Sequence, residues 1–182
     1  MTTIATTQTN QEILKAICLI DKTITSPAQG LPEELFLCVS RLTPLVNVDL
    51  LIRNQQGKIL LTWRDDEIFG QGWHIPGGCL RLGESFGERI LAVSENELGA
   101  QAVFAPTPLA IYETVDNTRP SRTHHISLLF ECKLIGPPDQ KREYVKASPQ
   151  AGAWAWHSVC PTKLLQPAYR SWFQETSLLV RE

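Results

Sequence analysis

Residues 73–100, WHIPGGCLRLGESFGERILAVSENELGA, leave the backbone little choice. Pro76 fixes φ, and Gly77-Gly78 reach angles closed to other residues. An extended segment must therefore turn sharply here and can aim backbone carbonyls at a ligand. After Gly83, Ser85 and Glu88 have the S-x-x-E spacing of a capping box, which predicts a helix from Ser85, and Gly99 supplies its stop. On this helix Leu91, Ser94 and Leu98 form one stripe, while Val93, Asn96 and Glu97 share a neighbouring one. The first stripe is expected to pack and the second to carry chemistry.

The rest of the chain must supply a core for that turn and helix. A length of 182 residues suits one domain, or one domain with a small appendage. Residues 1–9 are polar and read as a frayed tail. Apolar positions recur at helical spacing over residues 11–21, and a second helix is expected from Leu31, with Pro32 in its first turn and Glu33 and Glu34 favourably placed against the dipole. These pieces make a helical extension, residues 1–43, ahead of a main domain, residues 44–182. Strands are expected at 45–54, 59–63, 102–104, 109–115, 123–134 and 152–156, the fourth and fifth forming a hairpin. A terminal helix at 168–179 would dock Trp172, Phe173, Leu178 and Leu179. Mixed strands with a central helix and flanking helices describe an α/β/α sandwich, an α/β fold.

Composition excludes several classes of function. Seventeen basic against 19 acidic residues, a net charge of −2, give no global field for a polyanion, so nucleic acid is not an expected partner. The five cysteines are scattered with no C-x-x-C pair and read as buried thiols of a reducing compartment. No apolar run reaches the ~18–20 residues that span a bilayer, and no basic-then-apolar leader opens the chain. A cytoplasmic protein without a membrane partner is expected.

The 73–100 stretch resembles the Nudix box, G-x5-E-x7-R-E-U-x-E-E-x-G-U with U aliphatic. Gly78, Glu84, Glu97 and Gly99 fall at the required spacings, and Trp73, Pro76 and Gly77 are typical of what precedes it. Ala92, Val93, Ser94 and Asn96 stand where the pattern has arginine, glutamate, an aliphatic residue and glutamate. The GDP-mannose mannosyl hydrolase branch also replaces the first two helix glutamates, although it keeps the arginine. The resemblance spans about residues 44–160. It implies a Nudix-like sandwich with a mixed sheet, and a Mg²⁺-dependent hydrolase of a nucleoside diphosphate linked to another moiety, nearest to a GDP-sugar.

The same resemblance assigns residues. The Gly77 carbonyl, Glu97 and Gln150 are the implied metal ligands, with Glu84 in support. Asp49 and Arg64 fall where the branch contacts substrate, Arg64 also serving catalysis. Cys79 replaces a further arginine, for which Arg81 is the substitute. Ala151 stands at the place of the histidine base, leaving His124 or His125, with an expected ascending pH limb near a histidine pKa of roughly 6–7. Read on residues alone, Arg64 beside Asp65 and Asp66 suits a surface ion pair, Gln150 a solvated loop, and the strand-end histidines local hydrogen bonds. One helix carboxylate implies one cation, which favours glycosyl transfer to water over pyrophosphate cleavage. The competing class, argued from Ala92, Val93, Asn96 and Ala151, is a degenerate domain that binds a nucleotide or protein partner with little catalysis. A homodimer is compatible with either.

Overall fold

A computed structural model describes residues 2–145 and 148–173 of the protein. Strand β1 (Leu45–Ile52) is followed by β2 (Ile59–Asp66), β3 (Gly70–His74), β4 (Gly77–Cys79), β5 (Ala102–Phe104), β6 (Ala110–Val115), β7 (His124–Leu134) and β8 (Trp154–His157). They form a five-stranded sheet ordered β4-β1-β7-β5, with β6 also on β7, and a three-stranded sheet ordered β3-β2-β8. The β1–β7 pairing is parallel and runs the length of β1, while the other ladders are antiparallel, so the first sheet is mixed. Among the described residues three α-helices accompany the sheets: α1 (Thr2–Thr23), α2 (Glu33–Val39) and α3 (Phe86–Val93).

The apolar alternation of β1 predicts one buried face, but the strand is buried continuously from Val48 to Ile52. Both sides are covered. Val48, Leu50 and Ile52 pack with Ile90, Val93 and Leu98 around α3, whereas Leu51 joins Ile59, Leu61, Trp73 and Leu129 in a second cluster. Two-sided burial is what a strand sandwiched between layers requires.

The expected capping box is present, with Ser85 Oγ accepting from the Glu88 amide and the Glu88 carboxylate accepting from the Ser85 amide. The single helix expected over 85–98 is instead α3 followed by a π turn, Ser94–Leu98. The buried Ser94 hydroxyl donates to the Leu91 carbonyl at 3.0 Å, competing for an acceptor of the α ladder, and the wider turn follows. Gly99, at φ 61°, ψ 31°, closes it in the left-handed conformation.

Other differences are local. Residues 2–9 continue α1 rather than fraying, since extending an existing helix adds one hydrogen bond per residue without a new nucleus. Pro32 caps α2 rather than sitting inside it. Strands β3 and β4 add to the expected set, their glycines carrying no apolar period. Of the expected terminal helix, residues 168–173 lie in a 3₁₀ segment, Pro167–Phe173, that buries Tyr169 and Phe173; the remainder, with Leu178 and Leu179, lies outside the described residues. All five cysteines are free, but only Cys132 is buried and Cys18 is exposed. No helix among the described residues is long and apolar enough to cross a membrane.

Candidate active site

A cavity of about 1160 Å³ opens where β1, β2 and β4 meet. The π turn, the Pro76-Gly77 turn and β1 bring two carboxylates together. The Gly77 amide donates to Glu97 Oε1 at 3.1 Å, and a Cβ built on Gly77 would lie 2.0 Å from Asp49 Oδ1. Any side chain at 77 would therefore expel Asp49, and this is the physical need for glycine there.

Both carboxyls are held above their ordinary range. Burial raises Asp49 to about 6 against opposing hydrogen bonds from Tyr169 and Ser127 and the charge of Arg64. Burial likewise raises Glu97 to about 7 against hydrogen bonds from Thr62 and the Gly77 amide. Thr62 Oγ1 lies 2.9 Å from Glu97 Oε2 and 3.0 Å from His74 Nε2, while His74 Nδ1 donates to the Ile75 carbonyl at 2.8 Å. Burial lowers His74 to about 3, so its ring is neutral and Nε2 must accept. A hydroxyl has one hydrogen, so Thr62 cannot serve His74 and Glu97 together. A proton on Glu97 completes the chain.

Cations face these acids. Arg64, Arg81, Arg119 and Arg122 line the cavity. The Arg64 guanidinium sits 4.6 Å from the Phe69 ring centroid and that of Arg119 4.5 Å, and Arg64 Nε reaches Asp66 at 3.4 Å. Below the glycine loop Arg89 makes a bidentate pair with Glu84, at 2.8 and 2.7 Å, and Glu84 also accepts from the Arg81 amide at 2.9 Å. This pair fixes the loop on α3.

The family model described as NUDIX domain matches residues 43–176. The chain belongs to the NUDIX family. It is accordingly a Nudix-type hydrolase, acting on a nucleoside-diphosphate-linked compound. It is 29% identical over 111 residues, 59% of this chain and 70% of the relative, to the low-salt glycan biosynthesis protein Agl8 of Haloferax volcanii. Among solved structures it resembles a MutT protein from Methanosarcina mazei Go1, with TM-score 0.55 and 21% identity over 77% of this chain and 98% of that one. It also resembles a UDP-X diphosphatase, with TM-score 0.53 and 19% identity over 96% of this chain and 85% of that one. These two likenesses speak for the NUDIX fold.

Within this NUDIX domain the residues expected from the sequence separate into two groups. Asp49, Arg64, Gly77 and Arg81 line the cavity, as does His125, and Glu97 touches its Gly77 turn. Glu84 is not among the lining residues but pairs with Arg89, which lines the cavity. Gln150 is exposed in a turn away from the cavity lining, and His124 points to Glu113, 3.1 Å away, outside it. Val93 is a core residue beneath Gly78, while Asn96 is exposed, so the two do not share a chemical stripe with Glu97. The π turn separates them. Sequence reasoning missed His74, Thr62, Tyr169 and Arg89. Of these only Arg89 carried a signal, lying one helical turn before the position where the box has arginine.

Proposed function

We propose that this NUDIX protein hydrolyses nucleoside diphosphate sugars in a Mg²⁺-dependent way, GDP-linked sugars foremost, by transferring the glycosyl group to water. The observation that carries this reading is the convergence of Glu97 and Asp49 on Gly77 beneath the cavity arginines. Oxygen donors with few carboxylates suit Mg²⁺, which keeps several waters. Val93 and Asn96 bring no charge beside Glu97, so one cation is the expected count. Glu97, the Gly77 carbonyl and Asp49 would hold the cation. When bound, it supplies positive charge to a departing diphosphate. Arg64 and Arg81 would bind and orient the phosphates. The likeness to a relative named for glycan biosynthesis supports a sugar-linked substrate.

For the base, His125 is favoured over His124 because it lines the cavity. Burial, then Arg119, Arg122 and Arg64, lower it to about 4, so a neutral imidazole can accept a proton across the neutral range. At limiting Mg²⁺ an ascending limb near pH 6–7 is then expected from Glu97 and Asp49 rather than from a histidine. His125→Ala is expected to lower the rate by about 10²- to 10⁴-fold while retaining that limb at limiting Mg²⁺, and His124→Ala to change little. Unchanged rates in both variants would remove histidine from the reaction.

Ala92, Val93, Asn96 and Ala151 favour a second reading, a degenerate domain that binds a nucleotide or protein partner with little turnover. Incubating the protein and Mg²⁺ with GDP-, UDP- and ADP-sugars and nucleoside triphosphates decides between them. Free sugar with nucleoside diphosphate is expected from the GDP-sugars; release of monophosphate instead would mean attack at phosphorus. Mg²⁺-dependent binding without any product would favour the second reading.

A further inference from the structure

The family match begins at residue 43, yet the cavity extends further back, into residues 27–39. Pro27, Leu31, Phe36 and Val39 form this wall, with Leu80 and Leu82 of the glycine loop beside it. The wall is tied down through Arg122. Its amide donates to Ser40 Oγ at 3.2 Å, its guanidinium lies 4.7 Å from the Phe36 ring centroid and donates to Glu33 Oε1 at 3.1 Å. Arg122 has φ 53°, the one positive value among the described non-glycine residues, and its buried Nε has no partner. Such strain persists where surroundings hold the backbone in place. Gly30 lies beside the Arg81 guanidinium, and its φ of 104° is what calls for glycine, since a Cβ there would meet that guanidinium at an ordinary 3.6 Å.

The two sides of the cavity differ in chemistry. The extension offers an aromatic ring and aliphatic side chains edged by one exposed carboxylate, Glu33. The β6–β7 hairpin, which meets this wall through Arg122, offers Thr114, Asp116, Arg119 and His125. A sugar presents hydroxyls in every direction and suits the second surface. A nucleobase has apolar faces and a polar edge, and suits the first.

We propose that residues 27–39 form the nucleobase subsite, with Phe36 against the face of the base and Glu33 at the N–H donors of its edge. This rests on the reading of the cavity as a nucleotide-sugar site, but it does not require turnover. The test is calorimetric titration of the full chain with Mg²⁺ and GMP, AMP, UMP or CMP, against ribose 5-phosphate, which lacks the base. The unaltered protein is expected to bind its best monophosphate at least about tenfold more tightly than ribose 5-phosphate. Phe36→Ala should weaken that monophosphate by about tenfold and leave ribose 5-phosphate unchanged. Glu33→Gln, a change at an exposed side chain, should alter the order of the four bases. Equal binding of monophosphate and ribose 5-phosphate by the unaltered protein would overturn the subsite, as would a folded Phe36→Ala that loses both ligands equally or neither. If Phe36→Ala does not fold, an unchanged base order in Glu33→Gln overturns it. Failure of every nucleotide sugar to react, with these binding differences intact, would count against the hydrolytic reading alone.

Discussion

Glu97→Gln is expected to abolish Mg²⁺-dependent turnover while making the metal-free protein more stable above pH 7. A neutral amide removes the charge that would hold the cation, for an expected loss on the order of 10²- to 10³-fold. The stability effect follows from linkage. The Glu97 carboxyl is raised from 4.5 to about 7 in the folded state, so between those values the folded protein binds more protons than the unfolded chain. Its stability contribution therefore falls as pH rises through this window and stays low above it. Glutamine does not titrate, and its amide can donate to Thr62. The variant should gain roughly 1–3 kcal/mol over the parent at pH 8, or about 2–10 °C in Tm, and almost nothing near pH 4.5. Melting curves in chelator at both pH values measure the difference. Exposed Glu95→Gln is the control and should leave both activity and stability nearly intact. A parent-like Tm for Glu97→Gln at pH 8 would mean that the carboxyl is not held against its ionisation.

Arg89→Ala should be the most destabilising single change around the site. Arg89 and Glu84 side chains are only 8% and 14% exposed, and removing one partner leaves the other charge without compensation. Such losses run to about 3–5 kcal/mol when fully buried, and the partial access of Glu84 to water lowers the expectation here to roughly 2–4 kcal/mol. The loop carrying Arg81 would loosen at the same time, because Glu84 also holds the Arg81 amide. KM should therefore rise more than kcat falls. Adding Ala92→Arg should recover much of the loss, since position 92 lies one turn further along the same side of the helix. Denaturant unfolding of Arg89→Ala with and without Ala92→Arg checks this, and no recovery would show that the arginine cannot be moved along α3.

That displaced arginine illustrates which parts of the molecule could be read from sequence. The capping box at Ser85, the stop at Gly99, the alternating strands and the long β7 depend on local chemistry within a few residues, and they are legible there. Strands β3 and β4 are held by partners across the sheets, despite glycines that weaken any intrinsic preference for extended structure. The site mixes both kinds of information. Glu97 and Gly77 stand out through the resemblance to the Nudix box, but the pairing of Asp49 with Tyr169 joins residues 120 positions apart. In the sequence His74 is one imidazole among four, and only its enclosure by Thr62 and Ile75 distinguishes it. The π turn arises from a single buried serine hydroxyl, which no periodicity can reveal in advance.

The position of β4 has a consequence for how the protein breathes. Strand β7 is flanked by β1 on one side and by β5 and β6 on the other, so its amides should exchange with solvent only when much of the fold opens. The Gly77 turn begins a three-residue strand at the sheet edge, paired with β1 alone. Separating it breaks a short ladder and leaves the β1–β7 pairing standing. Asp49 is thus borne on an interior strand and Glu97 on the turn that ends α3, while the turn between them belongs to an edge segment held by one short ladder and by the Gly77 bond to Glu97.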